Sequence, residues 1–317
     1  MANSWSGVKV LVTGARGFLG SHVAARLVEL GATPWGFARQ VPAESNGVRW
    51  FCGDLSDPAT VRAVVREACP DVVFHLSGRT QAAPDRALVQ SSFRDNLAST
   101  VLLLGELAES GCQRLVITGS LEESAPGDTE SVPTSPYGAS KQAAVAYARM
   151  FHALYALPVV IVRPYMTYGP RQSANKLIPS VALSLLRGES PTINSPDREV
   201  DWIYVHDVVE AILAAGRAPG AVGRTIDLGS GVLVPVREVV GKLQALIGGA
   251  VEVRMASAGK AVGVHGRRAD TECARELLGW HARTPLRLGL ERTVAWYRER
   301  STDDGRVVAA HGAGALI

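Results

Sequence analysis

A strand-like run, Val8-Lys9-Val10-Leu11-Val12-Thr13, stops at Gly14 and is followed by Gly17 and Gly20 at three-residue spacing. Leu19, Val23, Leu27 and Leu30 then recur at helical spacing, and Gly31 supplies a stop. A strand that enters a helix through such a turn aims uncapped helix N–H groups at the turn, which suits an anion. Gly14 would permit the tight turn, Gly17 the approach of a diphosphate, and Gly20 close packing of helix on sheet. The loop Gly14, Gly17, Phe18, Leu19, Gly20 is therefore a candidate dinucleotide site, with a purely structural turn as the alternative.

The pattern of elements beyond the loop supports that reading. Short β-branched runs at Trp35–Phe37, Val48–Cys52, Val72–Leu76, Arg114–Thr118 and Val159–Val162 alternate with helical stretches. Asp57-Pro58 opens one helix with a capping residue and a proline at its first position. A long helix is predicted to run to about Ser110. Alternation of this kind predicts right-handed crossovers and a Rossmann-type, doubly wound parallel sheet covered on both faces. The second half is less regular. Strands are predicted at 201–205 and 224–228, and helices at 178–186, 205–215, 236–247 and 285–298. The expected organisation is a dinucleotide-binding domain over 1–165, to which later segments return. A smaller α/β substrate region would follow over 166–300, with a frayed tail over 301–317.

The chain has 317 residues, a net charge of +3 and no apolar run long enough for a membrane helix. That balance predicts no nucleic-acid and no membrane partner. The first seven residues lack the pattern of a secretory signal, so a cytoplasmic location is expected. Cys52, Cys69, Cys112 and Cys273 form no CxxC pair, and reduced, buried thiols with no metal are the expectation.

In dinucleotide folds the second strand normally ends in a carboxylate that binds both ribose hydroxyls. Here Phe37-Ala38-Arg39-Gln40 stands there. Ala38 leaves room for a 2′-phosphate and Arg39 offers it a charge-assisted pair, so NADP(H) is favoured over NAD(H). The alternative for Arg39 is a solvated surface charge. Asp54-Leu55, after the third strand, is placed to bond the adenine. Leu76-Ser77-Gly78, ending the fourth, would pass beneath the diphosphate and ribose.

Tyr137-Gly138-Ala139-Ser140-Lys141 puts a phenol and an ammonium one helical turn apart on one face. With seven tyrosines and five lysines, random placement would give about 0.1 such pairs in the chain. Over about residues 8–298 the sequence resembles the extended short-chain dehydrogenase/reductase family, in its nucleotide-sugar epimerase/dehydratase/reductase branch. The resemblance rests on the glycine loop, Asp54-Leu55, His75-Leu76-Ser77-Gly78, Asp95-Asn96, Ser120, the Tyr-Lys pair and Arg163-Pro164-Tyr165. It continues through Tyr168-Gly169-Pro170-Arg171, the stretch Asp201 to Val208, and Ala274 to Trp280.

The resemblance implies an NAD(P)-dependent enzyme in which Tyr137 is the general acid/base. Lys141 would bind the nicotinamide ribose and lower the phenol pKa. Ser120, beyond strand-end Thr118, would polarise the substrate oxygen. Asn96 would hold the helix behind the lysine, and Thr118, Pro164 and Tyr165 would border the cofactor. Thr80, Leu121, Glu122 and Met166 would face the substrate, joined by Lys176, Leu177, Val200 and Lys260. A homodimer through the helices near 93–110 and 138–155 is also implied.

Departures from the branch bear on the reaction. Sugar 4,6-dehydratases carry Thr-Asp-Glu where this chain has Ser120-Leu121-Glu122, so the acid that protonates a departing hydroxyl is missing. Glu122 keeps the other acidic position. Glu123-Ser124-Ala125 replaces the usual Val-Tyr-Gly, and Val200 stands where an arginine usually grips a substrate phosphate. The leading expectation is an NADPH-dependent ketoreductase of a keto-sugar, nucleotide-linked or otherwise. An NAD-retaining nucleotide-sugar epimerase or decarboxylase, a reductase of a non-nucleotide natural-product ketone and a non-catalytic dinucleotide-binding module are the alternatives.

Overall fold

A computed structural model describes residues 5–123, 132–256 and 266–303. The chain divides into two compact units. One comprises Met1–Pro164, Val209–Leu228 and Asp270–His281; the other comprises Tyr165–Val208, Gly229–Ala269 and Ala282–Ile317.

The first unit opens with β1 (Val10–Thr13), fully buried, and α1 (Phe18–Glu29). Next come β2 (Trp35–Ala38), β3 (Arg49–Cys52), α2 (Pro58–Ala68) and β4 (Val72–His75). The Asp57 carboxylate caps α2 by accepting from the Ala59 and Thr60 N–H groups. A short α3 (Val89–Ser92), a π-helical turn (Phe93–Ala98) and α4 (Ser99–Ser110) lead to β5 (Arg114–Thr118), α5 (Pro136–Tyr155) and β6 (Val159–Pro164).

In the second unit lie β7 (Met166–Tyr168), α6 (Leu177–Leu186), β8 (Thr192–Ile193) and β9 (Glu199–Tyr204). α7 (Val205–Ala215) precedes β10 (Thr225–Leu228), which belongs to the first unit. β11 (Leu233–Pro235), α8 (Val236–Ile247), β12 (Arg254–Met255), α9 (Glu272–Leu278) and α10 (Leu286–Asp303) complete the chain.

The fold class is the expected one. Seven parallel strands run in the order β10-β6-β5-β4-β1-β2-β3. Strand order reverses between β1 and β4, and the glycine turn leaves β1 at that point, where open parallel sheets bind ligands. Leu11, Val73, Leu115 and Ile161 from the sheet pack with Val64 of α2, Leu104 of α4 and Val145 of α5. Burial of these branched side chains on one face, and of Val10 and Val12 on the other, is the main stabilising contribution, about 1.5–3 kcal/mol for each fully buried residue. The second unit has a three-stranded sheet, β11-β9-β7, and a β12-β8 pair, and α6, α8 and α10 pack on one another.

Several boundaries differ from expectation. The long helix toward Ser110 is broken by the π turn. There the Ser99 and Thr100 hydroxyls donate to the Asp95 and Asn96 carbonyls at 2.7 and 2.6 Å, competing with the regular backbone ladder. β7, β8, β11 and β12 escape periodicity because they are two or three residues long and defined only by non-local partners. α10 continues to Asp303, past the Ser301 start of the expected tail; residues 304–317 lie outside the described residues. Thiol burial is corrected too, since Cys52 and Cys69 are exposed, Cys112 and Cys273 are half-buried, and all four are free. Cys69 sits in the left-handed cap that ends α2, at the surface. Among the described residues no helix is long and apolar enough to cross a membrane, and no three potential metal ligands gather.

Candidate active site

The glycine turn is built as a cradle. Gly14 has φ +67°, and a side chain there would meet Leu76 O and Ser77 Cα at 2.8 Å. A Cβ on Gly20 would lie 2.1 Å from Gly14 O, so α1 rests on the turn with no space for a methyl group. Gly17 is the N-cap of α1 and makes no side-chain cap, so the first-turn N–H groups of a twelve-residue helix are offered to a ligand. Phe18 and Leu19 begin that helix. Backbone of the β4 end forms the opposite wall, where Ser77 N donates to Thr13 Oγ1 at 3.3 Å and Gly78 has φ +151°. Uncapped N–H groups beside glycines with no room for a Cβ fit a dinucleotide diphosphate.

At the end of β2 the side chain of Arg39 is 65% exposed, with its guanidinium 3.9 Å from Asp95 Oδ2. Arg16, inside the glycine turn, donates to the Gln40 carbonyl at 3.1 Å. Two guanidiniums therefore stand where a ribose-binding carboxylate is usual, beside half-buried Ala38. Residue-pattern reasoning missed Arg16, although its place before Gly17 marked it as a loop residue. Asp54 accepts from the Ser56 N–H and hydroxyl at 2.9 and 2.8 Å, which hold its carboxyl below the usual range. Leu55 is buried in the core.

The catalytic candidates of this unit converge. The Ser135 hydroxyl caps α5 by accepting the Gly138 N–H at 3.0 Å, which sets Tyr137 in the first turn and Lys141 one turn on. Ser120 Oγ accepts the Glu122 N–H at 3.1 Å and is hydrogen-bonded to the Tyr137 phenol. Lys141 Nζ donates to Thr118 Oγ1 at 3.3 Å. Burial pulls the Lys141 ammonium down to about 8, with the Glu123 carboxylate opposing. Tyr137 moves opposite to expectation. Burial pushes its phenol up to about 12 and the Glu122 and Glu123 charges add to the rise, against the Ser120 hydrogen bond. This environment favours the phenol over the phenolate.

Asn96 links this centre to the cofactor wall. Its Oδ1 accepts the Arg79 N–H at 2.7 Å and its Nδ2 donates to Ser140 Oγ at 2.9 Å, between Tyr137 and Lys141 on α5. The π turn, invisible to periodicity, is what carries Asn96 into this position. Thr80 follows Arg79 and is exposed.

Behind Asn96 lies His75, 3% exposed. Thr100 donates to the Asn96 carbonyl, so it accepts from His75 Nε2 at 2.9 Å, and His75 Nδ1 accepts from Thr13 at 2.8 Å. This chain of bonds suits a neutral ring. Burial, then the Lys141 charge, depresses its pKa to about 3. A folded pKa below the unfolded value of about 6.5 means that unfolded chains bind the extra proton. Stability from this group is complete above about pH 6.5 and is lost as pH falls toward 3. Thermal unfolding of a His75→Asn variant should therefore show a flatter acid limb over that window; a limb as steep as the parent's would overturn this.

The remaining candidates sit in the second unit. Tyr165 is 4% exposed and donates its hydroxyl to the Arg268 carbonyl at 3.3 Å, following Pro164 at the end of β6. Met166 begins β7 beside Trp202, Lys176 is the N-cap of α6 and Leu177 its first residue. Val200 is buried on β9, so it presents no group to a phosphate. Lys260 lies outside the described residues.

The family model for the NAD dependent epimerase/dehydratase family matches residues 10–229, spanning the glycine turn, Ser120, Tyr137 and Lys141. The chain belongs to this family. It is thus an enzyme of the extended short-chain dehydrogenase/reductase type. A UDP-glucose 4-epimerase of Mycolicibacterium smegmatis is 30% identical over 93% of this chain and 100% of its own length. A dTDP-glucose 4,6-dehydratase of Streptomyces griseus is also 30% identical, over 92% of this chain and 94% of its own. Among solved structures, MoeE5 in complex with UDP-glucose and NAD superposes with a TM-score of 0.82 at 28% identity, covering 92% of this chain and 99% of that one.

Proposed function

We propose that this enzyme is a nucleotide-sugar epimerase that oxidises and re-reduces one sugar carbon. The observation that carries the reading is the Ser120, Tyr137, Lys141 centre with Leu121 at the position where dehydratases hold an acid. Full-length similarity to a UDP-glucose 4-epimerase, and to a protein solved with UDP-glucose and NAD, supports the substrate class. The bound dinucleotide supplies a hydride acceptor and donor. Gly14, Gly17 and Gly20 would hold its diphosphate, and Lys141 its nicotinamide ribose. In the oxidising half Tyr137 would take the proton from the sugar hydroxyl, with the cationic nicotinamide of the bound dinucleotide offsetting the burial that favours the phenol. In the reducing half it would give that proton back, while Ser120 orients the oxygen. Leucine at 121 can neither give nor take a proton, so elimination of a neighbouring hydroxyl is not assisted there.

A second reading is favoured by one specific observation. Arg16 and Arg39 flank the end of β2 where no carboxylate stands, which suits the 2′-phosphate of NADPH and a ketoreductase that exchanges its cofactor. A homodimer belongs to either reading, because Phe93, Tyr147, Leu154 and Tyr155 are exposed on the π turn and on α5. The test is to denature purified protein, identify the released dinucleotide, and titrate NADH and NADPH into stripped protein. Co-purified NAD with no NADPH preference supports the epimerase. A site that binds NADPH well over NADH, and loses that margin in Arg39→Ala, overturns it for the reductase. Sedimentation of the same preparation reads the dimer, and a monomer mass overturns it.

A further inference from the structure

Glu123 stands where the family pattern has an apolar residue, and its side chain is carried inward. It is 7% exposed, at the turn after β5. Its Oε1 accepts the Ser120 N–H at 2.5 Å, and its own N–H donates to the Ser120 carbonyl at 3.2 Å, so one residue closes the turn twice. The carboxylate occupies the space beside Gly119, where a Cβ would lie 2.6 Å from Oε1 and 2.9 Å from Arg163 Cγ. The neighbouring Glu122 points the other way. Its Oε2 accepts the Ser135 hydroxyl at 2.8 Å, and a Cβ on Gly138 would touch it at 3.4 Å. The two carboxylates thus fasten the Ser120 turn, one to its own backbone and one to the start of α5.

A carboxylate this deep needs countercharge. The groups facing it are Arg163 from β6, Lys141 and Arg149 from α5, the Ser120 N–H from its own turn, and the Tyr137 phenol. Arg163 is committed to Asp227 on β10 at 2.6 Å, both being buried. Arg149 donates to Thr225 Oγ1 at 3.1 Å. Lys141 donates to the Thr118 hydroxyl, and Glu123 is the carboxylate whose field acts on its ammonium.

Resting on the reading of Ser120, Tyr137 and Lys141 as the reacting centre, we propose that Glu123 is its positioning residue. It fixes the Ser120 turn so that the hydroxyl meets Tyr137, and its negative charge keeps the ammonium proton on Lys141. The charge acts in the same direction on Tyr137, favouring the protonated phenol. In this role Glu123 acts through Ser120 and Lys141.

The chain has five lysines, so Lys141 can be followed directly. Protein labelled with 13C at lysine Cε is titrated by NMR from pH 6 to 11, with the Lys141 signal assigned by its loss in Lys141→Arg. In the parent the Lys141 signal should titrate near 8, below the value of about 10.4 for a free lysine. Glu123→Gln keeps the hydrogen-bond acceptor and removes the charge; the Lys141 midpoint should fall by about one pH unit. Glu123→Asp keeps the charge on a shorter stem and should leave the midpoint near that of the parent. An unmoved midpoint in folded Glu123→Gln, or an equal fall in Glu123→Asp, overturns the proposal. No substrate is needed, so the outcome is independent of which reaction the enzyme performs; a parent midpoint indistinguishable from the other lysines would instead count against the reading of the centre.

Discussion

Replacing Tyr137 with phenylalanine should lower turnover by about three orders of magnitude and leave dinucleotide affinity within about twofold. The ring is buried in the first turn of α5 and loses no packing in the variant; only the hydroxyl bonded to Ser120 disappears. Ser120 cannot take over the proton, because an alcohol is a far weaker acid than a phenol and its oxygen already accepts the Glu122 N–H. The glycine turn and Lys141, which would hold the dinucleotide, are untouched, so affinity and activity separate. Single-turnover rates read the first quantity and quenching of protein fluorescence by the dinucleotide the second. Turnover near the parent's would remove Tyr137 as the proton carrier, while a joint loss of binding would mark a damaged fold.

Gly20→Val should abolish measurable dinucleotide binding and cost about 3 kcal/mol of stability or more. The first methyl of any side chain there would come 2.1 Å from Gly14 O, 2.7 Å from Gly14 C and 3.0 Å from Ala15 Cα. All three are backbone atoms of the turn, so the clash cannot be relieved by a rotamer change. It is relieved only by lifting α1 from the β1 end, which moves the helix N–H groups away from the diphosphate. Gly17→Ala is the control, because its Cβ meets only Gly14 O at 3.1 Å and a shift of a few tenths of an ångström accommodates it. Thermal unfolding and dinucleotide titration of both variants check the contrast; equal effects at the two positions would sink the argument.

Much of the centre was legible in the residues. The glycine spacing after a β-branched run, the Asp57-Pro58 helix start, and the Tyr137, Lys141 spacing are local signals. Their geometry is set within one or two turns of chain, and the structure places the centre from them: Lys141 on Thr118, Tyr137 on Ser120, Asn96 on Ser140. Length of element also helped, since β1, β4 and β5 are short apolar runs bounded by turn residues.

Other features depend on partners far along the chain. β10 joins the sheet beside β6 after some sixty residues of intervening chain, paired Ile226 with Val162, and no local pattern marks a four-residue strand as an edge of that sheet. His75 reads as one more strand residue until Thr13 and Thr100 close on its two nitrogens. Glu122 and Glu123 look alike in sequence, two carboxylates in a loop. Their roles diverge because the turn aims one toward Ser135 and buries the other beside Arg163 and Lys141. Local periodicity and capping set which elements form and which side chains sit at their ends. Burial and the charges that surround a group arise only when distant segments pack, and here that packing creates the surroundings that favour the Tyr137 phenol and buries the Glu123 carboxylate against the Ser120 turn.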